Sequence, residues 1–481
     1  MKHLLAIAAL FIALGSQAQL LKPEWSDVPW NEKNKRPSRT WGPYCHGNNA
    51  FMLGEMTYYK TDLIGYAWPE GERASARPVS IPAQKNHANM NGFTAFAGGP
   101  VVVYDEWDRK TGEVMLYAQR YDVTFAPDGP PVQLGTIPLD PKAYGGGELV
   151  VTLEKSDDGS KLLVVFDKIQ MNNIKLAIIW VLDQDMELAW KGAYRLPVQA
   201  YNSTTSYYIS DQGAVLARVN AVVLNEDNVK EKRDGSIQAK VDAKTWKHST
   251  TSWFRLHGEV FQMWDGETSG TEASDGKPIW INDDLYFLTP TSKDEKANAK
   301  SLFTPELVLV GMDKSFAPQL LAKRSMGKEV SQMGIADVHV ASANSITVLW
   351  SHPDGLLLQE MDDALNLNWE LQLPKIGSVS LLKQQDAILV GGIADKKQLE
   401  VLMASGSWVG SKEGTKDNDP VVFSIEQGAT QFSVQRLAPP NPPKDFNAYA
   451  SGIDTFQKCP CYVRKSHSKQ PPGMMRTIVD Q

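Results

Sequence analysis

The chain has 481 residues, 42% of them apolar and 22% charged, with a formal net charge of -7. That composition excludes a disordered chain, and the length allows either about three ordinary domains or one larger repeat architecture. The slight acidity and the scatter of Lys and Arg exclude the basic stripe of a nucleic-acid binder and the polybasic patch of a lipid-surface protein.

The chain opens with "MKHLLAIAALFIALGSQAQ". Lys2 is the positive end, Leu4 to Leu14 form an apolar run too short to span a bilayer, and Ser16-Gln17-Ala18 is a small-x-small cleavage pattern. Residues 1–18 are therefore expected to be a secretory signal, with a mature chain from Gln19. An uncleaved anchor helix is the alternative. No Cys follows the cleavage pattern, so a lipid anchor there is not expected. No later run reaches transmembrane length.

From residue 50 the chain reads as pairs of apolar β-forming runs. "AFMLGEMTYY" leads to "DLIGYAW", and "GPVVVYDEW" to "VMLYAQRYDVTF". "SKLLVVFD" leads to "KLAIIWVLDQDM", "GAVLARVNAV" to "IQAKVDAKTW", and "PIWINDDLYFLTP" to "ELVLVGMDKSF". "NSITVLWSH" leads to "LLLQEMDDAL", and "AILVGGIAD" to a degenerate "LEVLMASGSW". Five of the second runs end in an Asp followed three residues later by a further recurring position: Asp122 and Phe125, Asp183 and Met186, Asp242 and Thr245, Asp313 and Phe316, Asp362 and Leu365. Asp suits a tight turn because its side chain bonds to nearby backbone. The apolar partner is expected on the inward face of the next strand.

A unit of about 50 to 70 residues with three or four strands, repeated about seven times, is the signature of a β-propeller. One such sheet has two apolar faces and can hide neither alone; stacking sheets in a ring covers both. Two or three tandem β-sandwiches also give short strands and turns, but the regular intervals favour the ring. Across residues 50 to 437 the pattern resembles β-propeller repeat proteins in architecture. The Gly-His and Trp-Asp marks of WD40 repeats are absent. "SDDG" at Ser156–Gly159 and "SDQG" at Ser210–Gly213 loosely resemble the Asp-x-Gly turns of sialidase-type blades, without their full spacing. The expected fold is all-β: a propeller of about seven blades, six or eight being possible, over residues 19–437. A Pro-rich linker and polar tail are expected over 438–481.

Polar insertions at 225–240, 265–276, 291–300 and 410–420 read as loops on a rigid ring, where recognition commonly sits. Cys45 and His46 precede the first strand pair; Cys459, Cys461 and His467 follow the last. In a closed ring the chain ends meet, so a disulfide from Cys45 to Cys459 or Cys461 is one reading, a Zn or Cu site another, and unrelated thiols the third. The disulfide is the expectation, with no metal and no cofactor. Glu106 and Asp108 flank Trp107 in "VYDEWDR"; paired carboxylates beside an aromatic are what a glycosidase needs, and a hairpin turn explains the same residues. His87 and Asn89, in "KNHANMNG", and Trp107, Trp253 and Trp264 are candidate ligand contacts. Strand packing is the competing explanation for every Trp.

No nucleophile elbow, zincin helix or phosphate-binding loop is present. The expectation is an exported, non-catalytic binding or scaffold protein, periplasmic or extracellular. It would present loops to a protein or polysaccharide partner, as a monomer or within an envelope complex. A carbohydrate-active hydrolase or lyase with carboxylates at the ring's mouth is the alternative.

Overall fold

The computed structural model describes residues 22–27, most of 39–437, and the strands 448–454, 459–464 and 473–478. The leader, His87, Asp242, Thr245 and most of the four polar insertions lie outside the described residues, as do the side chains of the three cysteines.

The stretch Ile174–Asp183 shows why the fold is a ring. It is a strand of ten residues, apolar on both sides. Ile178, Trp180 and Leu182 pack into one core with Val101, Val103 and Leu116, while Ala177, Ile179 and Val181 pack into another with Tyr207, Val215 and Phe254. Alternate residues of a strand point to opposite faces. This strand therefore needs one neighbour sheet on each side, and the chain supplies them.

Seven sheets with antiparallel neighbours follow one another along the chain, each made of consecutive strands apart from a small hairpin in the fourth and, in the seventh, a two-residue strand, Trp408–Val409, that pairs parallel outside the last strand. These blades occupy residues 39–79, 88–137, 151–197, 202–265, 277–325, 334–373 and 377–436. A distinct apolar cluster lies at each junction from the first blade to the seventh. The protein is thus an all-β propeller of seven such blades. One further sheet, of four strands, is shared between the chain ends: Lys22–Asp27 pairs antiparallel with Gly473–Ile478, which pairs with Cys459–Arg464 and then Ala448–Asp454. This terminal sheet sits between the seventh blade and the first, with 377–384 beside 448–454 and 39–46 beside 459–464. The polar tail expected over 438–481 thus contains three strands. Their pairing partner comes from the opposite end of the sequence, so no local pattern announced it.

The recurring Asp closes the hairpin between a blade's third and fourth strands. At Asp183, Oδ1 accepts the backbone N–H of Asp185 and Glu187; Asp122, Asp313 and Asp362 accept from the same relative positions. The apolar residue three positions later does not lie on the next strand. Phe125, Met186, Phe316 and Leu365 adopt left-handed backbone, with φ of 62, 63, 65 and 59°. That conformation costs about 1–2 kcal/mol for a residue with a Cβ. Burying the side chain returns about 1.5–3 kcal/mol. Each of the four inserts into the junction with the preceding blade. Phe125 lies so close over Gly65 of the first blade that a Cβ on Gly65 would overlap its ring.

One expected strand is a helix. The "LEVLMASGSW" run contributes to Lys396–Ala404, capped by Asp395, whose carboxylate accepts the Gln398 N–H while the Gln398 side chain accepts the Asp395 N–H. This reciprocal cap and the spacing of buried Leu399 and Leu402 outweigh the weak resemblance to the strand repeat.

The left-handed turns predict an inverted substitution series. Phe316→Ala keeps the strain and loses the burial, at about 3–5 kcal/mol. Phe316→Gly loses the same burial but relieves the strain, and is expected to be about 1 kcal/mol less damaging in urea unfolding.

Candidate functional site

In most blades the innermost strand is less buried than the next. In the sixth blade, Gly334–Val340 contains no fully buried residue, whereas Ile346–Trp350 on the neighbouring strand are all buried. The inner strands therefore border a solvent-filled space around the ring axis. Ionisable side chains gather there.

Asp157, in the turn after the third blade's inner strand, is open to solvent. It nevertheless lies within electrostatic reach of Lys277 in the fifth blade and Asp337 in the sixth. Blades so far apart in the ring come together only near its axis. Lys277 Nζ bonds Asp337 Oδ1 at 2.5 Å. Asp337 Oδ2 accepts the Leu381 N–H of the seventh blade at 2.9 Å, which fixes the carboxylate. His339, two residues along the same strand, is held below its ordinary pKa by burial and by Lys383, with Asp337 opposing. Lys383 itself is committed to a buried ion pair with Glu360, which also accepts from Ser345, Trp369 and Gln427.

The "SDDG" and "SDQG" turns carry the acidic part of the site. Each Ser is buried and ties its own turn: Ser156 Oγ accepts the Lys161 N–H, and Ser210 Oγ accepts the Ala214 N–H. The turns then join across the blade junction, where Asp158 N–H donates to Asp211 Oδ1 at 3.0 Å. Burial pushes Asp211 up to about 6, and the neighbouring Asp158 and Asp157 charges add to it. Burial raises Asp158 too, but hydrogen bonds from Ser160, Ser156 and Asp211 bring it below the usual carboxylate range. Asp157 and Glu154, on the adjacent inner strand, touch solvent, yet the protein crowded around the axis strips part of their hydration; this raises Asp157 against the pull of Lys277, and pushes Glu154 up to about 7 against the pull of Lys155.

The residues singled out from sequence lie elsewhere. Asp108 closes a hairpin: its N–H donates to Glu113 O, and its Oδ1 faces the Thr111 N–H at 3.4 Å. Glu106 is buried within the second blade, and Trp107 packs against the core between the second and third. Asn89 donates to Asp105 Oδ1. Trp253 and Trp264 are buried between the fourth and fifth blades, so they serve packing and offer no aromatic platform. They fall into two groups in separate blades: Asn89 lies across from Asp105, next to Glu106 and Trp107, in the second, and Trp253 pairs with Trp264 in the fourth. The two Ser-Asp-x-Gly turns were visible in the sequence, but nothing local showed that they would meet. Among the described residues no group of His, Cys, Asp and Glu has metal-binding geometry, and no helix is long and apolar enough to cross a membrane.

No family model and no curated protein matches the chain in sequence. Several solved structures resemble it weakly. Dipeptidyl peptidase 4 of Porphyromonas gingivalis is 14% identical, with a TM-score of 0.43 over 93% of this chain and 60% of that one. A prolyl endopeptidase is 12% identical, with a TM-score of 0.42 over 95% of this chain and 58% of that one. The β-propeller domain of the Trilobed protease from Pyrococcus furiosus, described as having an open velcro topology, is 10% identical, with a TM-score of 0.38 over 82% of this chain and 99% of that domain. The chain thus spans about six tenths of the two peptidases.

The raised carboxyls give the fold a pH dependence of definite sign. A carboxyl with a raised folded-state pKa is fully stabilising below its unfolded value, near 4, and loses that contribution as pH rises to the folded value. For Asp211 the window runs from about 4 to about 6. Asp211→Asn, which resembles the protonated form, is expected to flatten the fall in melting temperature across that window and to raise it at pH 7.

Proposed function

We propose that this is an exported binding protein that uses the axial mouth of a rigid propeller, with the loops around it, to hold a protein or polysaccharide partner. One observation carries this reading: Asp157, Lys277 and Asp337, from the third, fifth and sixth blades, lie within electrostatic reach of one another around a solvent-filled axis. Their backbones are fixed by sheets packed on both faces, so the mouth offers donors and acceptors already in place for a polar ligand. The sequence of the leader supports export to the periplasm or cell exterior.

The test is retention on immobilised envelope polysaccharides and capture of envelope proteins, with the double variant Asp157→Asn, Lys277→Met as control. Affinity is expected to fall roughly tenfold, about 1.4 kcal/mol, with unchanged melting. Equal retention by the variant would remove the axial mouth from the proposal. Fractionation with N-terminal sequencing is expected to find a mature chain beginning at Gln19 outside the cytoplasm.

A second reading, a carbohydrate-active hydrolase, is supported by the Asp158–Asp211 pair. One carboxyl is held ionised and its neighbour keeps its proton towards pH 6, the division of labour that acid–base cleavage requires. Release of new reducing ends from a retained polysaccharide, abolished by Asp211→Asn, would favour this reading over simple binding.

Export also permits a covalent clasp. The strand Arg39–His46, which carries Cys45, packs beside the strand Cys459–Arg464. A disulfide from Cys45 to Cys459 or Cys461 would lock the terminal sheet to the first blade. Peptide mapping without reductant is expected to recover that cross-link, and one free thiol.

A further inference from the structure

A propeller's outermost strands expose one edge each, and unprotected edges recruit other strands. Here the outer strands are blunted by different means. The first blade's, Ser75–Val79, carries Arg77 and Pro78. The second, third, fifth and sixth blades have a register shift where the third and fourth strands pair. The third and fifth add Lys191 and Arg195, and Lys323 and Arg324, to their outer strands. The seventh blade's, Ser433–Arg436, is covered by Trp408–Val409.

The fourth blade's outer strand, Val260–Asp265, has none of these devices. It pairs in unbroken register with Trp253 and its neighbours, ends its sheet among the described residues, and contains no Pro, Lys or Arg. It also exposes three large apolar side chains, Val260, Phe261 and Met263, at 45, 43 and 41%. Phe261 is braced from behind by Tyr194 and Phe254, and Gln262 by a 2.7 Å bond from its side-chain amide to Lys314 O. The strand is therefore straight, apolar and rigidly mounted.

Charge selects the occupant. Glu259 precedes the strand, and Asp265 and Glu267 end and follow it. Antiparallel pairing of two copies about Gln262 sets Glu259 against Asp265, and pairing about Met263 sets Glu259 against Glu267. Both registers that overlap the strand most fully oppose like charges, which disfavours a second copy. We propose that Val260–Asp265 is a docking edge for an extended segment of a partner protein, apolar at alternate positions and flanked by Lys or Arg, that adds to the fourth blade as a fifth strand. This surface is separate from the axial mouth and stands whether or not the mouth binds a ligand.

The probe is the labelled synthetic peptide KKVTVTVKK, titrated with the full chain and read by fluorescence anisotropy. Saturable binding is expected. It should weaken roughly tenfold or more for the peptide EEVTVTVEE, for the same lysine peptide N-methylated at alternate residues, and for the protein variant Met263→Lys. If Met263→Lys lowers the melting temperature, Val260→Lys replaces it. No binding by the wild type overturns the proposal, as does equal binding of the N-methylated peptide or equal binding by the folded variant. Self-association of the wild type in sedimentation, abolished by the same substitution, overturns it as well by giving the edge to a second copy.

Discussion

Every part of this molecule answers to one requirement: each sheet is apolar on both faces, and each face must be covered by another sheet. Ile174–Asp183 states it in one strand, with Trp180 packed towards the second blade and Ile179 towards the fourth. Six junctions between seven blades meet the demand, and the terminal sheet meets it for the outer faces of the first and last. The left-handed turn residues belong to the same logic. Phe125, Met186, Phe316 and Leu365 accept unfavourable backbone because the turn aims each side chain into a junction that would otherwise be under-filled. Polar links follow the same direction: Trp180 Nε1 donates to Leu134 O, and Trp190 Nε1 to Gly213 O, each across a blade boundary.

Those junctions also make the axis useful. A side chain on an inner strand inherits the rigidity of two packed faces, so charges from distant blades can be held near one another without mobile loops. Asp337 shows the effect: Lys277 and the Leu381 N–H fix its two oxygens from the blades on either side. Asp158 and Asp211 are joined in the same way across a single boundary.

Much of the fold was legible in the sequence because its cause is local. A strand buried on both faces reads as a continuous apolar run, and a turn reads as Asp at a fixed offset. The unusual backbone at Phe125 was not legible, since nothing in "RYDVTF" distinguishes a left-handed residue from a strand residue. The terminal strands were missed because Lys22–Asp27 finds its partner at Gly473–Ile478. The site was legible only in pieces. "SDDG" and "SDQG" stood out, but Lys277 and Asp337 are ordinary residues until the ring sets them beside Asp157. Trp253 and Trp264 misled because an aromatic between blades and an aromatic on a surface look the same in one dimension.

The shared terminal sheet has a consequence for biogenesis. Blades form from neighbouring segments and can assemble as the chain emerges, but the closing sheet must wait for residues 448–478 to meet 22–27. Until then two greasy flanks stay open to water. Any product cut short before its last strands would keep them open, and would be conspicuous to proteases and holdases. The circle is thus its own inspection step: its seams stay open until the strands from 448–478 have reached 22–27.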